Sequence, residues 1–229
     1  MDDAHDLLAR AEPGIDRAAW TEACHRALPE LSMPRRRELV RLLRDHFLSW
    51  TSDARLEDGL FVHCYHRASA LGQIDLLAVA WAMSHPLSLV ACDRLVAPAL
   101  ASGALDIPLD AVEDLVADHV DTTSAESRRK TRTVLLGALE GVGTLTTRGT
   151  GKHRSLAAAR ATPHPLAFGY LVLLDLQQRG ASGMMLAEAH DGGLAARLTL
   201  CGPEHAKACV AWCVGLGLLV VAGDEVRAA

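Results

Sequence analysis

The chain has 229 residues, of which half are apolar and 22% are charged, and its formal net charge is −5. This composition excludes an intrinsically disordered chain, and the length predicts one or two domains. Six cysteines are too few for a disulfide scaffold, and the first six residues include three aspartates rather than the basic start of a signal peptide, so we expect a cytoplasmic protein.

Residues 1–105 predict a bundle of amphipathic helices. Apolar residues recur at helical spacing over 16–28, and Pro34 lies in the first turn of the next helix. Further helices are expected over 56–71, over 74–84 and, after the break at His85-Pro86, over 87–100. The charge-free stretches 76–92 and 208–223 are shorter than the roughly 20 residues of a membrane-spanning helix. We therefore expect both stretches in the core and no membrane contact.

A basic face is predicted on the helix that contains Pro34. Its arginines lie mainly opposite an apolar stripe that includes Leu39, Leu43 and Phe47. These arginines are Arg35, Arg36, Arg37, Arg41 and Arg44. Three interpretations stay open, namely a second nucleic-acid contact, a site for an acidic partner, and an exposed helix face with ion pairs.

The sequence of residues 106–180 predicts a winged-helix-like module. The segment 106–127 carries seven acidic and no basic side chains at helical spacing. Thr123 and Glu126 form a capping-box pattern that opens a new helix, which ends near Gly143. Two short segments, 144–148 and 153–157, then flank Gly149-Thr150-Gly151-Lys152, which is typical of a β-hairpin.

Residues 181–229 repeat this pattern at shorter length. A helix is predicted over 203–214, and the segments 218–221 and 225–227 flank the turn 222–224. We therefore predict a second, smaller winged-helix-like extension. The whole chain is predicted to be mainly α, with an N-terminal helical bundle (1–105), a winged-helix-like module (106–180) and this C-terminal extension (181–229).

A basic cluster at 128–160 has a net charge of +7, which leaves −12 for the other 196 residues. Its cations lie at the start of a predicted recognition helix and on a predicted wing, positions from which such modules contact DNA. The helix N-terminus adds its own attraction for phosphate. The predicted DNA-binding residues are Arg128, Arg129, Lys130 and Arg132 on the helix and Arg148, Lys152, His153 and Arg154 on the wing.

The alternative interpretation of this cluster is a solvated helix face. Its arginines would then pair with the acidic segment 106–127 just upstream. DNA binding requires the acids of that segment to face away from the basic helix.

The cysteines and histidines do not predict a metal site. Cys201, His205, Cys209 and Cys213 recur every four residues, but twelve residues of helix span about 18 Å, far more than one zinc tetrahedron. We expect them on a buried helix stripe. A looser trio, His63, Cys64 and His66, has no second ligand pair and is interpreted as structural.

No catalytic motif is evident either. The run Gly149-Thr150-Gly151-Lys152-His153 differs from a phosphate-binding loop, because Thr146 stands where the first glycine is needed and His153 where Ser or Thr would bind magnesium. No arrangement of residues marks a nucleophile. We expect no cofactor, no metal and no enzyme activity.

The order of elements resembles the BrxA family of bacterial BREX phage-defence systems over residues 7 to 178. The residues that carry the resemblance are Ser124-Ala125-Glu126-Ser127-Arg128-Arg129-Lys130-Thr131-Arg132, then Gly143-Thr144-Leu145, Ser155-Leu156 and Thr162-Pro163-His164-Pro165. The resemblance implies a mainly helical, winged-helix-like protein that binds double-stranded DNA without being an enzyme, within a system that methylates host DNA and blocks phage replication.

The sequence thus predicts a non-enzymatic, double-stranded-DNA-binding accessory protein of a BREX-type defence system. Most contacts are expected to be to phosphate, so the affinity for DNA should fall with salt. Two alternatives stay open. One is an adaptor that docks other defence-system proteins, and the other is a winged-helix transcriptional regulator, which would require a dimer and a palindromic site.

Overall fold

The computed structural model describes residues 2–121, 124–148 and 155–229. These residues are mainly helical, as predicted, and include two small antiparallel sheets of three strands each. The chain divides into two units, Met1–Leu76 and Leu77–Ala229. This division lies inside the segment 1–105 that the sequence assigns to the helical bundle.

The first unit is helical because its apolar residues recur at helical spacing around an aromatic core. Its helices are α1 (Asp2–Leu8), α2 (Arg17–Ala27), α3 (Met33–Phe47), α4 (Leu60–Arg67) and the start of α5 (Ala70–Met83). Asp16 caps α2, since its carboxylate accepts the backbone N–H of Ala18 at 2.8 Å. The ring of Phe61 lies 5.1 Å from that of Phe47 and 5.7 Å from that of Tyr65, and both Phe61 and Tyr65 are buried.

The predicted helix over 56–71 is wrong at both ends. Helix α4 begins at Leu60 and ends at Arg67, and α5 begins at Ala70. Leu56 instead lies in an extended segment, where its backbone N–H donates to the carbonyl of Ile15 at 2.9 Å and it forms a β-bridge with Trp50. Its side chain is buried there, so its apolar character reflects core packing rather than a helix.

The second unit continues with α6 (Leu87–Ala91), a π-helical turn (Cys92–Val96) and α7 (Ala97–Ser102), which follow one another without a break. No single helix among the described residues is long and apolar enough to cross a membrane. The two helical stretches 70–83 and 87–102 reach the length and apolar character of a membrane-spanning helix only when taken together, and they are bent by 92° at the break between them.

The first sheet contains β1 (Asp106–Ile107), β2 (Leu145–Arg148) and β3 (Ser155–Ala158) in the order β1-β3-β2. Helices α8 (Leu109–His119) and α9 (Ala125–Val142) lie between β1 and β2 in the chain. Gly143 ends α9 with a left-handed backbone, φ +87°, and its N–H donates to the carbonyl of Leu139. Strands β2 and β3 pair antiparallel, as predicted, and the turn that joins them lies outside the described residues.

The second sheet has the same strand order. Helix α10 (Pro165–Arg179) is followed by β4 (Gly183–Met185), α11 (Leu186–Asp191), α12 (Leu194–Thr199), α13 (Pro203–Gly215), β5 (Leu219–Ala222) and β6 (Glu225–Ala228). The order in the sheet is β4-β6-β5. Helix α10 packs against α12 and α13. The predicted helix over 203–214 and the hairpin that follows it are confirmed.

Candidate nucleic-acid interface

The predicted helix contacts all lie in the first eight residues of α9. Ser124 is the N-cap residue, and its hydroxyl accepts the backbone N–H of Ser127 at 3.4 Å. The predicted cap, Thr123, lies outside the described residues. One apolar stripe of α9, including Leu135, Leu139 and Val142, is buried. The packing of this stripe fixes the position from which the first turns project.

The four predicted cations of α9 have different surroundings. Arg129 and Lys130 are exposed, whereas Arg128 and Arg132 are partly buried. The Lys130 ammonium lies 2.8 Å from the carboxylate of Glu126 one turn earlier. Arg129 forms no ion pair with any residue that the structure describes. Arg129 is therefore the most available cation of this helix.

Arg132 pairs with an acid of the preceding helix. Its guanidinium donates to the carboxylate of Glu113 on α8, and the Arg132 side chain is only 26% exposed. DNA binding requires the acids of 106–127 to face away from the basic helix, and Glu113 does not meet this requirement. Its ion pair with Arg132 is instead the contact that the alternative interpretation, a solvated helix face, predicts. The physical reason is that α8 and α9 pack directly against each other, which places Glu113 within reach of a guanidinium.

A cleft of about 510 Å³ lies between α8 and α9. Its walls carry both signs of charge, and its other lining residues are small or apolar. The lining residues are Glu113, Asp114, Val116 and Ala117 of α8 and Ala125, Arg128, Arg129 and Arg132 of α9. The basic face therefore adjoins an acidic edge, which lowers the local positive potential.

The position of these cations does not favour helix stability. The N-terminus of a helix carries a partial positive charge, which disfavours basic side chains nearby, but the effect falls off within the first turn. Glu126 and Glu113 compensate Lys130 and Arg132. Arg129 has no such partner among the described residues, so its guanidinium is left to the solvent.

The predicted wing is described only in part. Arg148 is the last residue of β2, is exposed, and lies opposite Ser155 in the β2–β3 register. The other predicted wing contacts, Lys152, His153 and Arg154, lie outside the described residues. Arg160, a further cation of the basic cluster, donates to the carbonyl of Leu200 at 3.3 Å.

The second basic face, on α3, is largely engaged within the first unit. Arg35 lies 3.0 Å from Glu38, and Arg41 and Arg44 lie 3.7 Å and 2.8 Å from Asp45. The hydrogen bond from Arg44 lowers the pKa of Asp45. Arg36 donates to the carbonyl of His25 at 2.6 Å, while Arg37 is exposed. These contacts favour the interpretation of an exposed helix face with ion pairs.

The cysteines of α13 are core residues, as predicted. Cys209 and Cys213 are fully buried, and burial raises the pKa of each thiol to about 12. Cys201 is also buried but lies before α13, and His205 is only partly buried and bonds to the carbonyl of Pro163 at 2.9 Å. The predicted buried helix stripe is therefore confirmed for Cys209 and Cys213 and wrong for the other two. Because thiolate is the form that attacks carbon or binds metal, these thiols are inert at neutral pH.

The trio His63, Cys64 and His66 likewise has structural partners. The His66 ring bonds to the carbonyl of Ala11 at 2.8 Å, and the His63 ring lies 3.4 Å from the carboxylate of Asp58. Cys64 is buried. Among the residues that the structure describes, no group of three or more His, Cys, Asp or Glu side chains is placed to hold a metal ion.

The chain was also compared with known proteins. No protein-family model, no curated protein and no solved structure matches it.

Proposed function

We propose that the segment 106–180 is a winged-helix-like module that binds double-stranded DNA through the N-terminal turns of α9 and the β2–β3 hairpin. The chain order β1, α8, α9, β2, β3 and the sheet order β1-β3-β2 support this proposal. In such a module the helix directly before the hairpin, here α9, is the recognition helix, and its N-terminal residues approach the bases.

The observation that carries the proposal is the exposed Arg129 in the second turn of α9. It lies beside Lys130 and Arg128 at a helix N-terminus, where free N–H groups also attract phosphate. Arg148, at the hairpin end of β2, adds a cation on the wing. Charges at both positions suit a contact with one stretch of duplex.

Arg132 is a weaker contact than its position in the sequence indicates. To bind phosphate it would have to leave Glu113, and the exposed carboxylate would then repel the DNA. We therefore expect binding to depend on a small number of phosphate contacts, with modest affinity and a modest salt dependence. Each contact contributes roughly 0.9 to the slope of log K against log salt.

We further propose that this DNA binding serves as a non-enzymatic accessory activity of a BREX-type defence system. The support is the resemblance of residues 7 to 178 to the BrxA family, carried by the basic start of α9 and the segment that leads into α10.

The test is a binding titration of the full chain on a labelled random-sequence duplex, measured by fluorescence anisotropy over a salt series. The Arg129→Glu variant should weaken binding by about tenfold. It should also make the slope of log K against log salt shallower by roughly 0.9, the value for one phosphate contact. The matched control is Arg37→Glu, which makes the same charge change on an exposed arginine of α3. It should leave the affinity within about twofold of the unmodified chain.

Two results would contradict the proposal. If the unmodified chain does not bind duplex even at low salt, the DNA-binding function is wrong. If Arg37→Glu weakens binding as much as Arg129→Glu does, the effect comes from net charge rather than from α9. A strong preference for one palindromic duplex would favour the transcriptional regulator instead.

The mixed charge of the cleft favours a second candidate, an adaptor for another protein. Glu113 and Asp114 face the same space as Arg128 and Arg129, and a partner with both charge signs would match this surface better than DNA would. In that case Arg129→Glu would disrupt a complex with a defence-system protein, while the chain alone would show no affinity for duplex.

A further inference from the structure

A second cleft, of about 290 Å³, lies among elements of the second unit that the proposed DNA contact does not use. The π-helical turn, α7, α11 and α12 contribute to its walls, together with Arg160 after β3. Much of the wall is small or apolar, including Ala97, Leu100 and Ala196. Its volume is close to the lower end of the roughly 300–1,000 Å³ of small-molecule sites, which combine such walls with a few polar groups. We call it the α12 cleft.

Two backbone irregularities lie on the walls of the α12 cleft. Asp93 belongs to the π-helical turn Cys92–Val96, and such turns are rare in helices and frequent at functional sites. Leu200 has a left-handed backbone, φ +49°, which in the described part of the chain only Ala54 shares among residues other than glycine. Its N–H donates to the carbonyl of Ala196 at 2.8 Å, which holds this conformation in place. Strained backbone of this kind clusters at ligand sites, so the cleft is a candidate for one.

The charged residues that the structure describes in the cleft are two arginines and two aspartates. Arg197 and Asp93 pair with each other through two hydrogen bonds, so their charges are balanced. Arg160 donates to the carbonyl of Leu200 at 3.3 Å but has no acidic partner among the described residues. Asp191 is exposed and has no basic partner among them either. Arg160 and Asp191 therefore bring one unpaired cation and one unpaired anion to the same cleft, too far apart to pair with each other.

His190 adds a neutral polar group to the cleft. Its Nε2 atom is buried and makes no hydrogen bond to any described residue, whereas nearly all buried polar atoms in proteins have a partner. Burial lowers the pKa of this ring, so at neutral pH the imidazole is uncharged and can donate one hydrogen bond and accept another. Within the described part of the chain, the imidazole therefore keeps hydrogen-bonding capacity that the fold does not use.

We propose that the α12 cleft binds a free α-amino acid with an aliphatic side chain. In this arrangement the ligand's carboxylate accepts hydrogen bonds from Arg160, its ammonium group donates to Asp191, and its side chain packs on the apolar wall at Leu100. A ligand with both charges compensates the unpaired cation and the unpaired anion together. Asp191 repels a simple anion and Arg160 repels a simple cation, so the cleft selects against both. This inference does not depend on the proposed DNA binding, since it concerns other residues.

The experiment is isothermal titration calorimetry of the full chain with L-leucine and with two analogues that each lack one charged group. Isocaproate lacks the ammonium group, and isopentylamine lacks the carboxylate. L-leucine should bind with a dissociation constant on the order of 0.1–1 mM, as expected for a small ligand held by exposed charges. Each analogue should bind at least about tenfold more weakly, because it loses one charge-assisted hydrogen bond and leaves one charge of the cleft unpaired.

The Asp191→Asn variant tests the position of the ligand's ammonium group. It should weaken the binding of L-leucine by about tenfold but change that of isocaproate, which has no ammonium group, by less than about twofold. The matched control is Asp118→Asn, the same change in the last turn of α8. Asp118 is likewise exposed and lies outside the cleft, so this variant should bind L-leucine as the unmodified chain does. Far-ultraviolet circular dichroism checks that both variants fold.

Three results would overturn the inference. The first is the absence of a binding signal with L-leucine or with L-valine at concentrations up to about 10 mM. The second is an affinity for isocaproate or isopentylamine that equals the affinity for L-leucine, because a single charge then accounts for binding. The third is binding of L-leucine that Asp191→Asn retains or that Asp118→Asn also loses, because the ligand then lies outside the α12 cleft.

Discussion

The packing of α10 against α13 makes Gly169 the position where a single methyl group should be most harmful. Gly169 is buried in the second turn of α10. A Cβ atom there would lie 2.4 Å from the Sγ atom of Cys213 and 3.4 Å from its Cβ atom. Non-bonded atoms of this size pack at about 3.5–4.0 Å, so the Gly169→Ala substitution requires one of the two helices to move.

Two opposing effects determine the magnitude. Alanine is the better helix former, by about 1 kcal/mol, whereas overpacking of a core costs typically about 1–3 kcal/mol. Cys213 has little freedom to turn away, since it is fully buried and its thiol donates to the carbonyl of Pro165 at 3.3 Å. The cost of overpacking should therefore lie in the upper part of its range, at about 2–3 kcal/mol. We expect Gly169→Ala to lower the free energy of unfolding by about 1–2 kcal/mol, or a few degrees in melting temperature.

The assay is urea unfolding followed by circular dichroism, with a control that the chain itself provides. Gly137 also lies within a helix, α9, but a Cβ atom there would meet nothing within 4 Å. Gly137→Ala should therefore stabilise the protein by about 0.5–1 kcal/mol. The opposite signs separate the helix preference, which both substitutions share, from the clash, which only one of them introduces.

A double substitution tests the cause. Cys213→Ala removes the Sγ atom that Gly169→Ala would strike, so the two changes together should cost less than the sum of their separate costs, by about 1 kcal/mol or more. If Gly169→Ala proves as stabilising as Gly137→Ala, or if the double variant is simply additive, the steric reasoning is wrong.

Three further predictions concern charged groups. Asp175 is buried and accepts the N–H of Leu194 at 2.8 Å, so Asp175→Ala should cost about 2–3 kcal/mol in urea unfolding and Asp175→Asn less. Burial lowers the pKa of His190 in the folded chain, so protonation of this ring favours the unfolded chain below about pH 6.5. Between pH 7 and 5 the melting temperature should therefore fall less in His190→Gln than in the unmodified chain. Glu113→Gln should raise the affinity for duplex about threefold by freeing Arg132, while Glu38→Gln, an equal charge change on α3, should not.

Local signals account for the parts of the fold that the sequence predicted well. The glycine turns and apolar periodicity near 203–228 specify α13, β5 and β6 within one short stretch of chain, and Gly143 marks the end of α9 through its left-handed backbone. Strand β1 was not predicted because it has only two residues. It pairs Asp106 with Ala157, 51 positions away, and a strand of two residues carries no periodicity.

In the candidate site, too, some features follow from the local sequence and others depend on how the helices pack. The identity and order of the cations at the start of α9 are properties of the sequence. The pairing of Arg132 with Glu113 is not, because it depends on the rotation of α8 about its own axis where it packs on α9. Helical spacing defines which acids share a face of α8, but only the packed pair of helices decides which face the arginines meet.

The two sheets have the same strand order but support different surfaces. In each, two short strands form a hairpin after a helix, and a strand from earlier in the chain pairs with the last one. That arrangement needs only a buried stripe on the helix and turn residues in the hairpin, so the exposed positions are free to vary. The arrangement that contains the first sheet exposes Arg129 and Arg148, whereas the one that contains the second sheet exposes Trp212 and Val220.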